Sequence, residues 1–230
     1  MWKLATALIA ISLLLATTAD AANPVRISQV YGSGGNYYKC DYVELFNNSA
    51  SPVNIGGWSV QYGSATGTTF GSSTYNYALI PSGAVIPACG YYLISGYCSA
   101  NGADLPIAAD LTISSPPVWQ FNFSSSSGKV ALFSDQVFNR TCAEAQAVAV
   151  DIVGYGSANC FETTAAPISD AASVLVRAGG GAIDTDNNSA DFSKLSQPVA
   201  LHNSSSPPNP DCTPVPTLPT TWGRVKTIYR

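Results

Sequence analysis

Short stretches in which apolar and polar residues alternate, separated by Gly, Ser, Asn and Pro, most constrain how this chain can fold. Alternation with a period of two is typical of a β-strand with one buried face. Only residues 141–147 have helical composition, over a length too short to be stable alone. Many short strands joined by turns predict an all-β protein, which we interpret as a β-sandwich. The predicted strands are residues 25–31, 42–46, 58–62, 91–95, 129–133, 148–155 and 173–176.

The N-terminus predicts export. Lys3 precedes an apolar run at residues 4–16 that is too short to span a bilayer, and Ala-Asp-Ala at residues 19–21 fits a signal-peptidase site. We therefore predict a signal peptide at residues 1–21, a β-sandwich domain at residues 22–203, and a secreted or cell-surface protein without a transmembrane span. The net charge is −4 and the pI is about 4.7. Such an acidic body disfavours nucleic-acid binding, which needs an excess of Lys and Arg.

Six cysteines in an exported chain predict three disulfides. The sequence contains no CxxC pair and a single histidine, His202, so a zinc site is not expected. Cys89 and Cys98 lie close together on either side of a predicted strand. We predict that these two cysteines form a local disulfide.

The pairing of Cys40, Cys142, Cys160 and Cys212 stays open. Residues 148–155, if they form one strand, extend about 25 Å at roughly 3.3 Å per residue. Cys142 and Cys160 would then lie at opposite ends of a sheet, too far apart to bond. On this reasoning Cys160 pairs with either Cys40 or Cys212.

The composition changes near the C-terminus. Residues 204–219 are rich in Pro and Ser and predict an extended, polyproline-like linker. Residues 220–230 carry three basic residues and no acidic one, and a helix there would place Trp222, Val225 and Tyr229 on one face. A helix this short is unstable alone, so this segment is predicted to be a frayed tail without a partner. The alternative hypothesis is a peptide that orders on an acidic surface or on an export or anchoring component. The residues predicted to interact are Trp222, Arg224, Lys226, Tyr229 and Arg230.

Two motifs, DYVELFN at residues 41–47 and GWSVQY at residues 57–62, resemble the bacterial lamin tail domain. Further matching stretches follow in the expected order, and the resemblance covers the chain from residue 25 to about 212. It implies an immunoglobulin-like β-sandwich that acts as an interaction domain, in a family that often accompanies secreted nucleases, phosphoesterases and surface proteins. The further stretches are residues 27–32, 153–156 with 159–162, and 184–188 with 191–192.

The chain departs from this family at Ala182, where relatives commonly carry a cysteine just before the acidic stretch. The disulfide pattern of the family therefore cannot be carried over intact. Cys40 is a candidate to replace the cysteine that relatives carry at this position. The partner of Cys160 therefore stays open.

Few residues offer catalytic chemistry. His202 would need a rigid position beside a nucleophile, but it lies at the start of the predicted linker. Asp41 and Glu44 lie three residues apart on a strand and so point to opposite faces, and Glu44 is predicted to accept structural hydrogen bonds. The glycine-rich residues 32–35 lead into a strand, so they are interpreted as a hairpin connection and not as a phosphate-binding loop. We expect that the protein is not an enzyme.

The acidic stretch predicts a possible calcium site. Asp184, Asp186 and Asn188 have the alternating spacing of the first half of a calcium loop, and Asp191 adds a further oxygen. The expected glycine and terminal glutamate are missing from this loop. The alternative is a set of Asx turns, in which these side chains bond to their own backbone without a metal.

Aromatic side chains raise the alternative of carbohydrate binding, although most of them alternate within strands, where packing is their ordinary role. The main prediction is a secreted or surface-displayed, non-catalytic interaction module whose partner is an unidentified protein or cell-surface polymer. The alternatives are a carbohydrate- or cell-wall-binding accessory domain and an accessory partner of a secreted nuclease or phosphoesterase. The aromatic residues in question are Trp58, Tyr62, Tyr75, Tyr77, Tyr91, Tyr92 and Trp119.

Overall fold

The computed structural model describes residues 23–32, 35–73, 76–113 and 121–212, and strand is the main regular secondary structure of these residues, as predicted. The predicted signal peptide and the C-terminal segment lie outside the described residues. The strands are β1 (Val25–Tyr31), β2 (Cys40–Asn47), β3 (Val53–Asn54), β4 (Ser59–Ser64), β5 (Tyr77–Leu79), β6 (Val85–Ile86), β7 (Tyr91–Cys98), β8 (Leu111–Thr112), β9 (Gly128–Phe133), β10 (Asp151–Tyr155), β11 (Ser173–Arg177) and β12 (Phe192–Ser196).

Two sheets form the sandwich. The larger sheet has the strand order β12-β11-β1-β2-β7-β8 and is antiparallel except for the parallel pair β7–β8. The smaller sheet has the order β10-β9-β4-β5, and β3 and β6 pair separately. The prediction of an all-β sandwich is therefore confirmed.

The main core lies between the two sheets. Val43 and Leu45 of β2 belong to the same buried cluster as Val60 of β4 and Val130 of β9, because alternate residues of each strand face the opposite sheet. The alternate residues of β2 face outwards. One of them, Tyr42, packs in a second buried cluster with Leu201. Strand β2 is therefore buried on both faces, which explains why all eight of its residues are buried.

A short helix, α1 (Cys142–Val148), precedes β10. The side chains of Thr141 and Glu144 form a capping box at its N-terminus, which satisfies backbone donors that the helix itself leaves unbonded. A single turn, α2 (Asn188–Asp191), precedes β12. Among the described residues, no helix has both the length and the apolar character needed to cross a membrane.

The three disulfides are Cys40–Cys98, Cys89–Cys212 and Cys142–Cys160. The predicted number is confirmed, but the predicted Cys89–Cys98 pair is wrong. Cys98 is the last residue of β7, and Cys89 lies just before the first. The two cysteines are therefore at opposite ends of an extended strand. Cys98 instead lies directly opposite Cys40 in the β2–β7 ladder.

The exclusion of a Cys142–Cys160 bond is also wrong. It assumed that residues 148–155 form one strand, whereas β10 begins only at Asp151 and Cys142 is the first residue of α1. The turn between the helix and the strand folds the chain back, and the two Cα atoms lie 5.6 Å apart. This separation is within the normal range for a disulfide.

Residues 197–212, here called the C-terminal strap, lie against the outer face of the larger sheet. The predicted linker begins at residue 204, but its first nine residues are held on the domain. The Ser204 hydroxyl donates a hydrogen bond to Asp110, Asn209 donates to the carbonyl of Gly179, and Cys212 is bonded to Cys89. An extended, solvated linker can therefore begin only after Cys212.

Candidate interaction surface

A buried arginine organises one end of the sandwich. Arg177, at the end of β11, is fully buried, and its Nη2 atom donates to both carboxylate oxygens of Asp151, each at 2.8 Å. Its Nε atom donates to the carbonyl of Ile27 at 2.8 Å, and its guanidinium lies 4.6 Å from the ring centroid of Phe192. These contacts link β1, β10, β11 and β12. The only signal for Arg177 in the sequence is a charge at the end of an apolar strand, which did not identify it as a buried residue.

The predicted calcium residues surround this arginine. Asp184 and Asp191 lie 2.9 Å and 3.4 Å from its Nη1 atom, and Asp191 also accepts hydrogen bonds from the backbone N–H and hydroxyl of Thr185. Asn188 is buried and bonds to the backbone of β10, while Asp186 is exposed. The structure therefore directs these oxygens towards a guanidinium and the backbone. In the described part of the chain, no group of three or more His, Cys, Asp or Glu side chains is arranged to hold a metal ion.

Glu162 lies beside the same cluster, and its pKa is strongly raised. Its carboxylate accepts hydrogen bonds from the Ile152 N–H at 3.2 Å and from the Asn188 amide at 2.9 Å. Burial, reinforced by the charges of Asp151 and Asp184, raises the pKa of Glu162 to about 8. The cluster therefore retains a proton on Glu162 at neutral pH.

Glu44 of β2 contacts His202 of the C-terminal strap. The Glu44 carboxylate accepts hydrogen bonds from the Ser28 hydroxyl at 2.7 Å and from the His202 backbone N–H at 2.7 Å, as the predicted structural role requires. The His202 ring stacks on Tyr91 with 4.3 Å between centroids, so this histidine does not sit at a flexible linker. Its Nδ1 atom lies 3.2 Å from Glu44. The serine and the imidazole both contact the carboxylate, an arrangement that differs from a serine–histidine nucleophile pair.

Asp41 faces the other side of β2, as predicted. Its carboxylate accepts a hydrogen bond at 2.9 Å from the N–H of Phe123, a residue of the core between the sheets. The glycine-rich turn that precedes it falls partly outside the described residues. Of the aromatic residues considered for sugar binding, Tyr62, Tyr91 and Tyr92 are buried and Trp58 and Tyr77 are half-buried, whereas Tyr75 and Trp119 lie outside the described residues.

A groove lies along α1. It has a volume of about 350 Å³ and is lined by the loop after β9 and by one face of the helix. Two of its residues, Val137 and Val148, are unusually exposed for valines, at 55% and 52%. Phe138 at the groove stacks on Tyr77 with 4.3 Å between ring centroids. The groove therefore combines a supported aromatic ring with exposed aliphatic side chains.

Charged residues hold the rim of this groove in place. Arg140 donates to both carboxylate oxygens of Asp135, at 2.8 Å and 2.7 Å, and this arginine lowers the pKa of Asp135. The backbone N–H and hydroxyl of Thr141 both donate to Glu144 and lower its pKa. Both carboxylates are thus ionised at neutral pH. This surface was not predicted from the sequence, although the Thr-x-x-Glu spacing at residues 141–144 is the signature of a capping box.

Comparisons with known proteins agree with the fold. The family model described as Lamin Tail Domain matches residues 18–185. A crystal structure of a DUF4876 family protein from Bacteroides thetaiotaomicron VPI-5482 is similar with a TM-score of 0.51 and 13% identity, covering 78% of this chain and 72% of that chain. At this identity the likeness shows the fold alone. A search of curated proteins found no match.

Proposed function

Because the chain belongs to the lamin tail domain family, as its motifs predicted, we propose that it is an exported, non-catalytic interaction module with an immunoglobulin-like fold. The family supports a non-catalytic β domain, and the three disulfides are compatible with an oxidising compartment outside the cytoplasm. The α1 groove is the surface that we assign to the interaction.

The observation that carries this proposal is the pair of exposed valines beside a supported aromatic ring. Apolar side chains with a polar rim are the usual composition of a protein–protein contact. The groove has room for one or two side chains, and the ionised Glu144 at its rim favours a partner that carries positive charge. We therefore infer that the partner presents an apolar or aromatic side chain next to a basic residue.

The buried polar residues support a structural role for the remaining candidate site residues. Arg177, Glu44 and Asp41 each use their charged atoms in contacts within the domain. Sugar binding requires exposed, coplanar aromatic side chains, and the described aromatic candidates are buried or half-buried. A protein partner is therefore the better-supported class, and a secreted nuclease or phosphoesterase is the first candidate that the family resemblance suggests.

Substitution in the groove tests the proposal. Val148→Lys places a charge in the groove at the last turn of α1, where a positive charge also favours the helix dipole and so preserves folding. The matched control is Val85→Lys, because Val85 is 41% exposed but lies on the separate β3–β6 pair. Tagged wild-type and variant proteins are compared in pull-downs from the native envelope and medium.

We expect the wild type and Val85→Lys to capture the same partner in similar amounts. Val148→Lys should capture at least tenfold less of it. Equal capture by all three proteins would show that the groove is not the contact surface. Capture lost by both variants would indicate a general effect of surface charge and would equally remove the assignment.

A further inference from the structure

We propose that residues 222–230 of the same chain occupy the α1 groove until a partner displaces them. This inference rests on the proposed function, because it assigns an internal competitor to the same surface. The acidic surface on which this segment is hypothesised to order would then be the α1 groove of the same chain.

Charge and chemistry match on the two sides. The segment carries Arg224, Lys226 and Arg230 with no acidic residue, and it also carries Trp222 and Tyr229. The mature chain before it, by contrast, has six basic and thirteen acidic residues. The groove offers exposed aliphatic side chains, an aromatic ring and the exposed carboxylate of Glu144. The charge of Arg140, which also lines the groove, is balanced by its ion pair with Asp135, so Glu144 leaves the groove with a negative charge. An aromatic side chain next to a basic residue is the ligand that such a groove selects.

The starting point of the segment allows it to reach the groove. Cys212 is fixed to Cys89, which lies just before β7, at the end of the sandwich where β2 ends. The loop after β9 that lines the groove follows Phe133, which pairs with Ser59 at the start of β4. The start of β1 pairs with the end of β2, and the Ile27 N–H of β1 donates to Asp151, which pairs with Leu132 at the end of β9. Both strand ends therefore lie at one end of the sandwich.

The distance between these two points is within the length of the intervening chain. Nine residues, 213–221, separate Cys212 from Trp222 and are rich in proline. At about 3.1 Å per residue in an extended polyproline conformation they span roughly 28 Å. Packed sheets lie about 10 Å apart, and α1 adds a further layer about 10 Å thick outside the smaller sheet. The groove is therefore roughly 20 Å from the larger sheet, which is within the ~28 Å that the intervening chain spans.

Tethering compensates for weak affinity. A short linker gives the attached segment an effective concentration on the order of millimolar. A segment with a dissociation constant of about 0.1 mM would then fill the groove about nine-tenths of the time and would weaken binding of an outside partner about tenfold. An external partner would thus have to bind tightly enough, or be concentrated enough, to displace the segment from the groove.

Hydrogen exchange of the α1 amides in the full mature protein tests this proposal. The wild type is compared with Trp222→Ala and with Thr217→Ala, a control in the intervening chain. We expect α1 amides to exchange about five- to tenfold faster in Trp222→Ala than in the wild type, with Thr217→Ala unchanged. The protection should fall in 0.5 M salt and should not depend on protein concentration, because the contact is charged and intramolecular.

Equal exchange in all three proteins would overturn the inference. Protection that grows with protein concentration would also overturn it, since the occupant would then be the segment of a second copy. The pull-down keeps the two proposals separate. If Trp222→Ala leaves α1 exchange unchanged while Val148→Lys still loses a captured partner, the internal competitor fails and the groove remains the interaction surface.

Discussion

The raised pKa of Glu162 predicts that the domain loses stability as the pH rises from 5 to 8. The ordinary pKa of a glutamate is 4.5, and that of Glu162 in the folded protein is about 8. The folded state therefore binds this proton more tightly than the unfolded state, and stability is present at low pH and lost as the pH approaches the folded pKa. For an isolated group at about 1.4 kcal/mol per pKa unit, the loss over this range is roughly 3 kcal/mol.

The expected magnitude is smaller because Glu162 is partly exposed. Solvent screening reduces the penalty, and we expect the free energy of unfolding to fall by about 2 kcal/mol between pH 5 and pH 8. The Glu162→Gln variant has no charge to lose and should be insensitive to pH by comparison. Its amide oxygen can replace only one of the two acceptors that serve Ile152 and Asn188, so it should be about 1 kcal/mol less stable than the wild type at pH 5.

The two stability curves should therefore cross, with the variant as stable as the wild type or more stable at pH 8. Urea unfolding with intact disulfides measures the free energies. Glu144→Gln is the control, because the pKa of Glu144 is lowered in the folded protein, so this residue should add little pH dependence between pH 5 and pH 8. Titrating groups away from this cluster contribute equally to wild type and variant, so the difference between the two slopes reports Glu162 together with the carboxylates that act on it, Asp151 and Asp184. Parallel curves for wild type and Glu162→Gln would refute the reasoning.

Three further predictions follow from the same contacts. Asp151→Asn should destabilise the domain by about 3–5 kcal/mol by leaving Arg177 short of a buried counter-charge, while Asp186→Asn on the surface should change little; similar urea midpoints would contradict this. Peptide mapping under non-reducing conditions should recover the three pairs described above, and a peptide that joins Cys89 to Cys98 would disprove them. Millimolar calcium should leave the thermal midpoint unchanged, because Arg177 holds two of the four proposed ligands; a rise that is lost in Asp186→Asn would restore the calcium site.

The local pattern of the sequence determined the class of fold and most of the strands. The alternating segments at residues 25–31 and 42–46 became β1 and the centre of β2 because a period of two places every second side chain on the same face. The failure at residues 148–155 is also local. An apolar run does not distinguish the last turn of a helix from a strand, and the capping signal at Thr141 was the better guide.

Only the tertiary structure decided which distant groups meet. The disulfide pairs, the burial of Arg177 among carboxylates and the anchoring of residues 204–212 all join segments that are far apart in the sequence. Composition predicted that residues 204–212 begin an extended linker, and it could not show that Asp110, Gly179 and Cys89 hold them on the domain. The sequence likewise could not reveal the groove, because nothing distinguishes its valines from other apolar residues in the sequence. Their exposure results from how α1 and the loop after β9 pack on the smaller sheet, because a residue's burial depends on its neighbours in space and not on its own side chain.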